Sequence, residues 1–136
     1  MSHHDGEFRE SVHASIVLTI NYASSNVAAF QTEGNVKVDG RGVSVWDTWS
    51  HNTSVCCEGG LNADTAADSY VRYPEDLAIM KSLKAQAYRF SISWTRIYPQ
   101  GNGAINQPGI DFYNTFIDAI IAADMIPIAT MYHVCP

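Results

Sequence analysis

The sequence has little positive charge and no cluster of it. Lys and Arg number 8 against 14 Asp and Glu, which gives a formal net charge of −6. A protein that binds the phosphate backbone of a nucleic acid needs a basic face. We therefore predict no nucleic-acid partner for this chain.

Long apolar runs are also missing. The apolar stretch at residues 15–20 is much shorter than the roughly 20 residues that a membrane-spanning helix requires. The residues before it are rich in His, Asp and Glu, whereas a signal peptide begins with Lys or Arg. We expect a soluble chain with no membrane partner, and the cytoplasm is favoured over secretion. Residues 1–14 are predicted to be a polar tail and residues 15–136 a partial domain.

Cysteine is scarce. The chain has Cys56, Cys57 and Cys135, and an odd number with one adjacent pair is not a disulfide framework. His51 lies near the pair, but structural zinc takes four ligands, usually in spaced pairs, and a second pair is missing. We predict no metal site and no cofactor.

The most regular feature present is the alternation from Tyr88 to Trp94, where apolar and polar side chains follow one another as in a strand. Helix-like segments on both sides indicate a parallel sheet whose faces are both covered. Arg89 lies on the polar side of this strand. A guanidinium inside such a protein usually pairs with a carboxylate, so we expect Arg89 to face a polar interior and an acidic partner.

The chain as a whole follows the order strand, helix, strand, helix, strand, which predicts an α/β fold with parallel strands. Ser44 and Asp47 are spaced to cap a short helical turn, and Pro74 is placed to begin a longer helix. The predicted elements are a strand within residues 15–31, a helix from residue 74, a strand over 87–94, a helix over 110–123 and a strand over 127–133. Three parallel strands leave two open edges and little core, so we expect the start of a larger fold.

Several blocks, in the same order along the chain, resemble glycoside hydrolase family 1, the β-glucosidase family. The run from Ala87 to Pro99 resembles the second barrel strand of that family and the residues that follow it. The other matching blocks are Phe30-Gln31-Thr32-Glu33-Gly34, Asp39-Gly40-Arg41-Gly42, residues 44–51, Asp68-Ser69-Tyr70 with Arg72-Tyr73 and Glu75-Asp76, residues 106–114, and Tyr132-His133. The resemblance covers about residues 20–133 and is specific, because the blocks match independently.

The resemblance implies both a fold and a chemistry. The fold is the N-terminal portion, about three βα units, of a TIM (β/α)8 barrel, which needs roughly 250 residues and has its active site at the C-terminal ends of the strands. The chemistry is retaining hydrolysis of a β-glucoside or oligosaccharide. In the family, the residues that match Gln31 and His133 hydrogen-bond sugar hydroxyls. The arginine that matches Arg89 lies under the sugar, beside the nucleophilic glutamate, so it supports the site.

Retaining hydrolysis needs two carboxylates about 5–5.5 Å apart. The acids tested against that role are Glu33, Glu58, Glu75 and Asp76. None of them matches a catalytic position of the family. The resemblance therefore implies that this chain contains no catalytic residue, that both catalytic glutamates lie on later strands, and that the 136 residues alone are inactive.

Some residues depart from the family pattern. Lys84 and Asp124 stand where the family has helix-ending glycines, and His133 is followed by residues 134–136 instead of Trp-Asp-Leu-Pro. These departures leave open a non-catalytic remnant or sugar-binding pseudoenzyme of the same family, and an unrelated small α/β binding domain is a third hypothesis. Trp46 and Trp94 are interpreted as barrel packing rather than sugar platforms, because buried aromatic rings chiefly supply apolar area.

Overall fold

The computed structural model describes residues 24–52 and 61–131, with the backbone alone for residues 24–26. The predicted polar tail, the three cysteines, Glu58 and His133 lie outside the described residues. What the sequence indicates for them stays a prediction.

The described residues form three strands and five helices in one α/β unit. In chain order they are β1 (Ser24–Val27), α1 (Ala29–Thr32), α2 (Val45–His51), α3 (Ser69–Ser82), β2 (Ala87–Ser91), α4 (Trp94–Ile97), α5 (Gln107–Ala122) and β3 (Ile126–Thr130). The strands are parallel and ordered β1-β2-β3. Ala87 lies opposite both Ser24 and Ile126, so the strands are aligned and their C-terminal ends meet at one edge. The predicted strand and helix order is confirmed.

The core lies between the sheet and the two long helices α3 and α5. Tyr88 and Phe90 of β2 are 3% and 2% exposed, and both contact the ring of Phe116 in α5. Leu77 of α3 and Ile120 of α5 complete the same cluster. Apolar residues at helical spacing therefore bury one helix face against one face of the sheet. On the other face of β2, Ala87 and Ser91 are 1% and 6% exposed, whereas Arg89 between them is exposed, so the prediction that both faces are covered fails at Arg89.

Two strands end earlier than the sequence indicates. β1 stops at Val27, and the chain turns at once into α1, so Gln31 lies in a helical turn and not in a strand. β2 stops at Ser91 instead of Trp94. The Ile92 N–H still donates to a carbonyl of β3, but α4 begins at Trp94. Alternation of residue types continues past the point where the backbone leaves the sheet, so it overstates strand length.

The two long helices begin earlier than predicted. Pro74 lies inside α3, which begins at Ser69. The Tyr70 N–H in its first turn donates to the distant Glu33 carbonyl at 3.1 Å, which satisfies a donor that a helix start leaves free. α5 begins at Gln107, with Pro108 in its first turn, and not at residue 110. Proline is tolerated at a helix start but does not mark its first residue.

The start of α2 and the ends of α3 and α5 have the backbone geometry that the sequence indicates. Ser44 Oγ accepts from the Asp47 N–H, and an Asp47 oxygen accepts from the Ser44 N–H at 2.7 Å, so the predicted cap of α2 is confirmed. Lys84 and Asp124 have φ of 56° and 63°, the left-handed geometry that glycine adopts without strain. No helix of residues 24–52 or 61–131 is long and apolar enough to span a bilayer.

Candidate functional site

A cavity of about 540 Å³ opens where β1 and β2 end. We refer to it as the strand-end cavity. It is lined by Ala28, Ala29, Phe30, Gln31, Arg41, Ser44, Trp46, Trp49, Ser91, Ile92 and Ser93. Residues that follow two neighbouring parallel strands thus converge at one edge of the sheet, which is where an α/β barrel binds its substrate.

Of the three residues predicted to serve the site, the structure brings one to this cavity. Gln31 is exposed and borders it. Arg89 is not among the lining residues; its Nε donates to Thr130 Oγ1 of β3 at 3.2 Å. His133 lies outside the described residues. An amide can donate and accept hydrogen bonds at the same time, so Gln31 is suited to a ring of hydroxyl groups.

Aromatic rings form one side of the strand-end cavity. The ring of Trp46 lies 5.6 Å from that of Phe30 and 5.7 Å from that of Trp49, measured between centroids. Trp94 is elsewhere: its ring contacts Tyr98 at 5.0 Å, and its indole N–H donates to a loop carbonyl. Trp94 therefore packs against Tyr98 and does not line the cavity, whereas Trp46 both packs and lines it.

Arg41, which the sequence did not single out, also borders the cavity. Its Nη1 donates to Asp47 Oδ2 at 2.8 Å, and their side chains are only 4% and 8% exposed. Burial opposes ionisation of Asp47, but the hydrogen bonds from Arg41 and Ser44 outweigh it and lower the pKa of the carboxyl. The α2 helix, which carries both tryptophans, is thereby fixed to the loop before it.

A buried polar cluster lies behind the cavity and is centred on Glu33. One carboxylate oxygen accepts from the Tyr113 hydroxyl at 2.6 Å, and the other accepts from Arg96 Nε at 3.1 Å. The Tyr113 hydroxyl in turn accepts from the Ser93 N–H at 2.7 Å. Burial raises the pKa of Glu33, although Arg96 and Tyr113 oppose that rise, and burial together with the Glu33 charge raises the pKa of Tyr113.

The guanidinium of Arg96 is fully buried. Its central carbon lies 3.9 Å from the centroid of the Tyr70 ring, at cation–π distance. Burial and a hydrogen bond to Asp39 raise the pKa of Tyr70 to about 12. Glu33 and Arg96 are both committed to structural contacts, so this buried acid–base pair is not free for proton transfer.

Metal-binding chemistry has no support in the described part of the chain. No group of three or more His, Cys, Asp or Glu side chains is placed to hold an ion there. The ring nitrogens of His51 contact the Asp47 carbonyl at 2.6 Å and the Asp64 carboxylate. Both neighbours accept hydrogen bonds from the ring and so raise the pKa of His51, and the Asp47 carbonyl has the larger effect.

Comparison with known proteins identifies the fold and the family. The family model described as glycosyl hydrolase family 1 matches residues 21–134. This chain belongs to glycosyl hydrolase family 1. Among curated relatives, β-glucosidase 40 of Arabidopsis thaliana is 52% identical over 106 residues, which are 78% of this chain and 21% of that protein. The 1,4-β-D-glucan glucohydrolase of Thermotoga neapolitana is 46% identical over 106 residues, 78% of this chain and 25% of that protein.

Solved structures of the family superpose closely on the chain. A rice β-glucosidase gives a TM-score of 0.78 at 46% identity, over 83% of this chain and 24% of that one. The Thermotoga maritima β-glucosidase in complex with castanospermine gives 0.78 at 44% identity, over 81% and 25%. The chain therefore spans about a quarter of these enzymes. It is a part of a TIM barrel, and its described residues form no closed barrel. The hypothesis of an unrelated small binding domain is wrong.

Proposed function

We propose that this chain supplies one side of the β-glucoside site of a retaining glycoside hydrolase that cleaves O-glycosyl bonds. The observation that carries the proposal is the position of Gln31 beside the strand-end cavity, at the C-terminal ends of two parallel strands in a family 1 chain. Gln31 and His133 would hydrogen-bond sugar hydroxyls, and Arg89 would support the nucleophile. Aromatic rings beside Gln31 would contact the apolar face of a sugar or of its aglycone.

The catalytic carboxylates are proposed to lie outside these 136 residues. Glu33 is buried between Arg96 and Tyr113 and does not line the cavity. Asp47 is held by Arg41, and Glu75 is paired with an arginine on the exposed surface of α3. Retaining hydrolysis requires two carboxylates in the site, about 5–5.5 Å apart. Neither Asp47 nor Glu75 lines the cavity.

A graft into a complete relative tests the proposal. The full chain replaces the matching segment of rice β-glucosidase 6, which is 50% identical over 106 residues. We expect the chimera to fold and to hydrolyse 4-nitrophenyl β-glucoside, whereas the 136 residues alone do not. Gln31→Ala should reduce kcat/KM of the chimera by about 10–100-fold, since a buried sugar hydroxyl left without its partner costs roughly 1–3 kcal/mol.

The surface substitution Glu75→Gln in the same chimera is the control and should leave kcat/KM unchanged, because Glu75 is exposed on α3 and does not line the cavity. A chimera that folds and binds castanospermine but does not hydrolyse the glucoside would favour the sugar-binding pseudoenzyme, and loss of both would favour the non-catalytic remnant. A graft into the Thermotoga maritima enzyme repeats the test, and failure to fold in both hosts would contradict the proposed role. Hydrolysis by the isolated chain, abolished by changing one of its own acids, would overturn the location of the catalytic carboxylates.

A further inference from the structure

The helical turn α1, which carries Gln31, is too short to hold its own shape. It has four residues, and a single turn of helix is unstable without outside contacts. Its N-cap residue is Ala28, which has no side chain to cap the free N–H groups. Ser91, the last residue of β2, supplies the missing acceptor: its Oγ accepts from the Ala29 N–H at 2.8 Å, in a buried position. The neighbouring strand thus fixes the first end of the turn.

Glu33 fixes the other end. It follows α1 directly, and its N–H donates to the Ala29 carbonyl. Its two carboxylate oxygens contact Tyr113 and Arg96. A second nitrogen of Arg96 donates to the Gly34 carbonyl at 3.2 Å, so the backbone after the turn is held as well. Arg96 and the Glu33 side chain are 0% and 11% exposed, which leaves little room for either to move.

The contacts at both ends come from the same part of the molecule. Ser91 ends β2, and Arg96 belongs to α4 just after it. The Tyr113 hydroxyl accepts a hydrogen bond from the N–H of Ser93, which lies between those two residues in the chain. The turn is therefore aligned with the end of β2, where the strand-end cavity opens. Gln31 borders this cavity and Glu33 does not, so Glu33 can affect a ligand there through the turn that carries Gln31 or through Tyr113 and the Ser93 backbone.

We propose that Glu33 is a positioning residue, which, through Arg96 and Tyr113, holds the α1 turn so that the Gln31 amide points into the strand-end cavity. The inference rests on the proposed function of Gln31. A misplacement of about 1 Å at a contact to the reacting group can cost about 100-fold in rate. Loss of the Glu33 contacts should therefore reduce turnover without removing any group that touches the sugar.

A double-mutant cycle in the active chimera tests this inference. Glu33→Gln keeps the volume of the side chain and removes its charge, so we expect kcat/KM to fall by about 10–100-fold, mostly in kcat, with the β-glucoside. In a chimera that already carries Gln31→Ala, the same change should cost no more than about twofold, because the positioned group is gone. A merely structural role of Glu33 would lower activity equally in both backgrounds. Glu75→Gln, which changes an exposed glutamate of α3, is the matched control and should have no effect.

A second variant covers the case in which Glu33→Gln prevents folding. Tyr113→Phe removes one of the two contacts to Glu33 and lies outside the cavity. It should show the same loss of kcat/KM and the same dependence on Gln31. Additive effects in both cycles would overturn the inference while leaving the proposed function intact. An active chimera in which Gln31→Ala changes nothing would instead refute the role of Gln31 in the proposed function.

Discussion

Removal of a single hydroxyl group, by Tyr113→Phe, should destabilise the fold more than its size suggests. The Tyr113 side chain reaches from α5 across the core, and the residue is only 4% exposed. Its hydroxyl accepts from the Ser93 N–H at 2.7 Å and donates to Glu33 at 2.6 Å. Phenylalanine fills the same space but makes neither contact.

The expected magnitude follows from what the deletion leaves behind. A buried backbone N–H without a partner costs about 1–3 kcal/mol, and a lost hydrogen bond to a charged group costs about 1.5–3 kcal/mol. The two effects together predict a loss of about 2.5–6 kcal/mol in the free energy of unfolding.

The assay is urea unfolding of the chain, followed by tryptophan fluorescence, with Tyr88→Phe as the matched control. Tyr88 is as deeply buried as Tyr113, at 3% exposed, but its hydroxyl makes no hydrogen bond to another of the described residues. Burial raises the pKa of Tyr88 to about 12. Deletion of a hydroxyl that makes no hydrogen bond to the described residues should be nearly neutral.

Amide hydrogen exchange gives a local readout of the same change. The Ser93 N–H should exchange faster in Tyr113→Phe, whereas amides in the paired part of β2 keep their protection. Equal stabilities of the Tyr113→Phe and Tyr88→Phe variants, with an unchanged Ser93 exchange rate, would refute the reasoning. That result would mean that the two hydrogen bonds contribute nothing to the folded state.

Other substitutions test the caps and the second buried ion pair. Asp47→Asn should lower the free energy of unfolding by at least about 1.5 kcal/mol at pH 6, because Arg41 loses a charged partner. The pKa of Asp47 is lowered in the folded chain, so its contribution is complete above the unfolded-state value of 3.8 and is lost as the pH falls through the lower folded-state value. Urea titrations should therefore show the two proteins converging below pH 3.8, and a constant difference would count against the ion pair. Lys84→Gly should stabilise the chain by about 0.5–1 kcal/mol, because φ is 56° there, and Lys84→Ala should not. Asp124→Gly should gain less, since aspartate tolerates the left-handed region better and Asp124 contacts a lysine; a larger gain than at Lys84 would contradict this order.

The sequence was sufficient to predict the fold class, because the dominant signals are local. Tyr88 and Phe90 alternate with polar residues, and Tyr113, Phe116 and Ile120 recur at helical spacing. Each of these patterns is set by the geometry of one element, so it can be recognised without knowledge of the rest of the chain. The cap formed by Ser44 and Asp47 was equally accessible, since both partners lie within one turn.

The ends of the elements were less predictable, because the residues that decide them are distant in sequence. β1 gives way to a helical turn where the Ala29 N–H meets Ser91 Oγ, 62 residues away. α3 begins before Pro74 because the Tyr70 N–H finds the Glu33 carbonyl. A propensity scale assigns proline to the start of a helix, but a long-range acceptor shifts that start. Tertiary contacts therefore override local preference at both places.

Glu33 shows why the site was harder to predict than the fold. In the sequence it is one of several acids to be weighed as catalytic, next to a glutamine with an implied sugar contact. Its role depends on Arg96 and Tyr113, which are 63 and 80 residues further along the chain. Nearly full burial of an acid and a base in the same place requires that they pair, so an acid held in this way is unsuited to attack a sugar. The same contacts place the neighbouring amide of Gln31, and that effect on the cavity is visible only once the three residues are seen together.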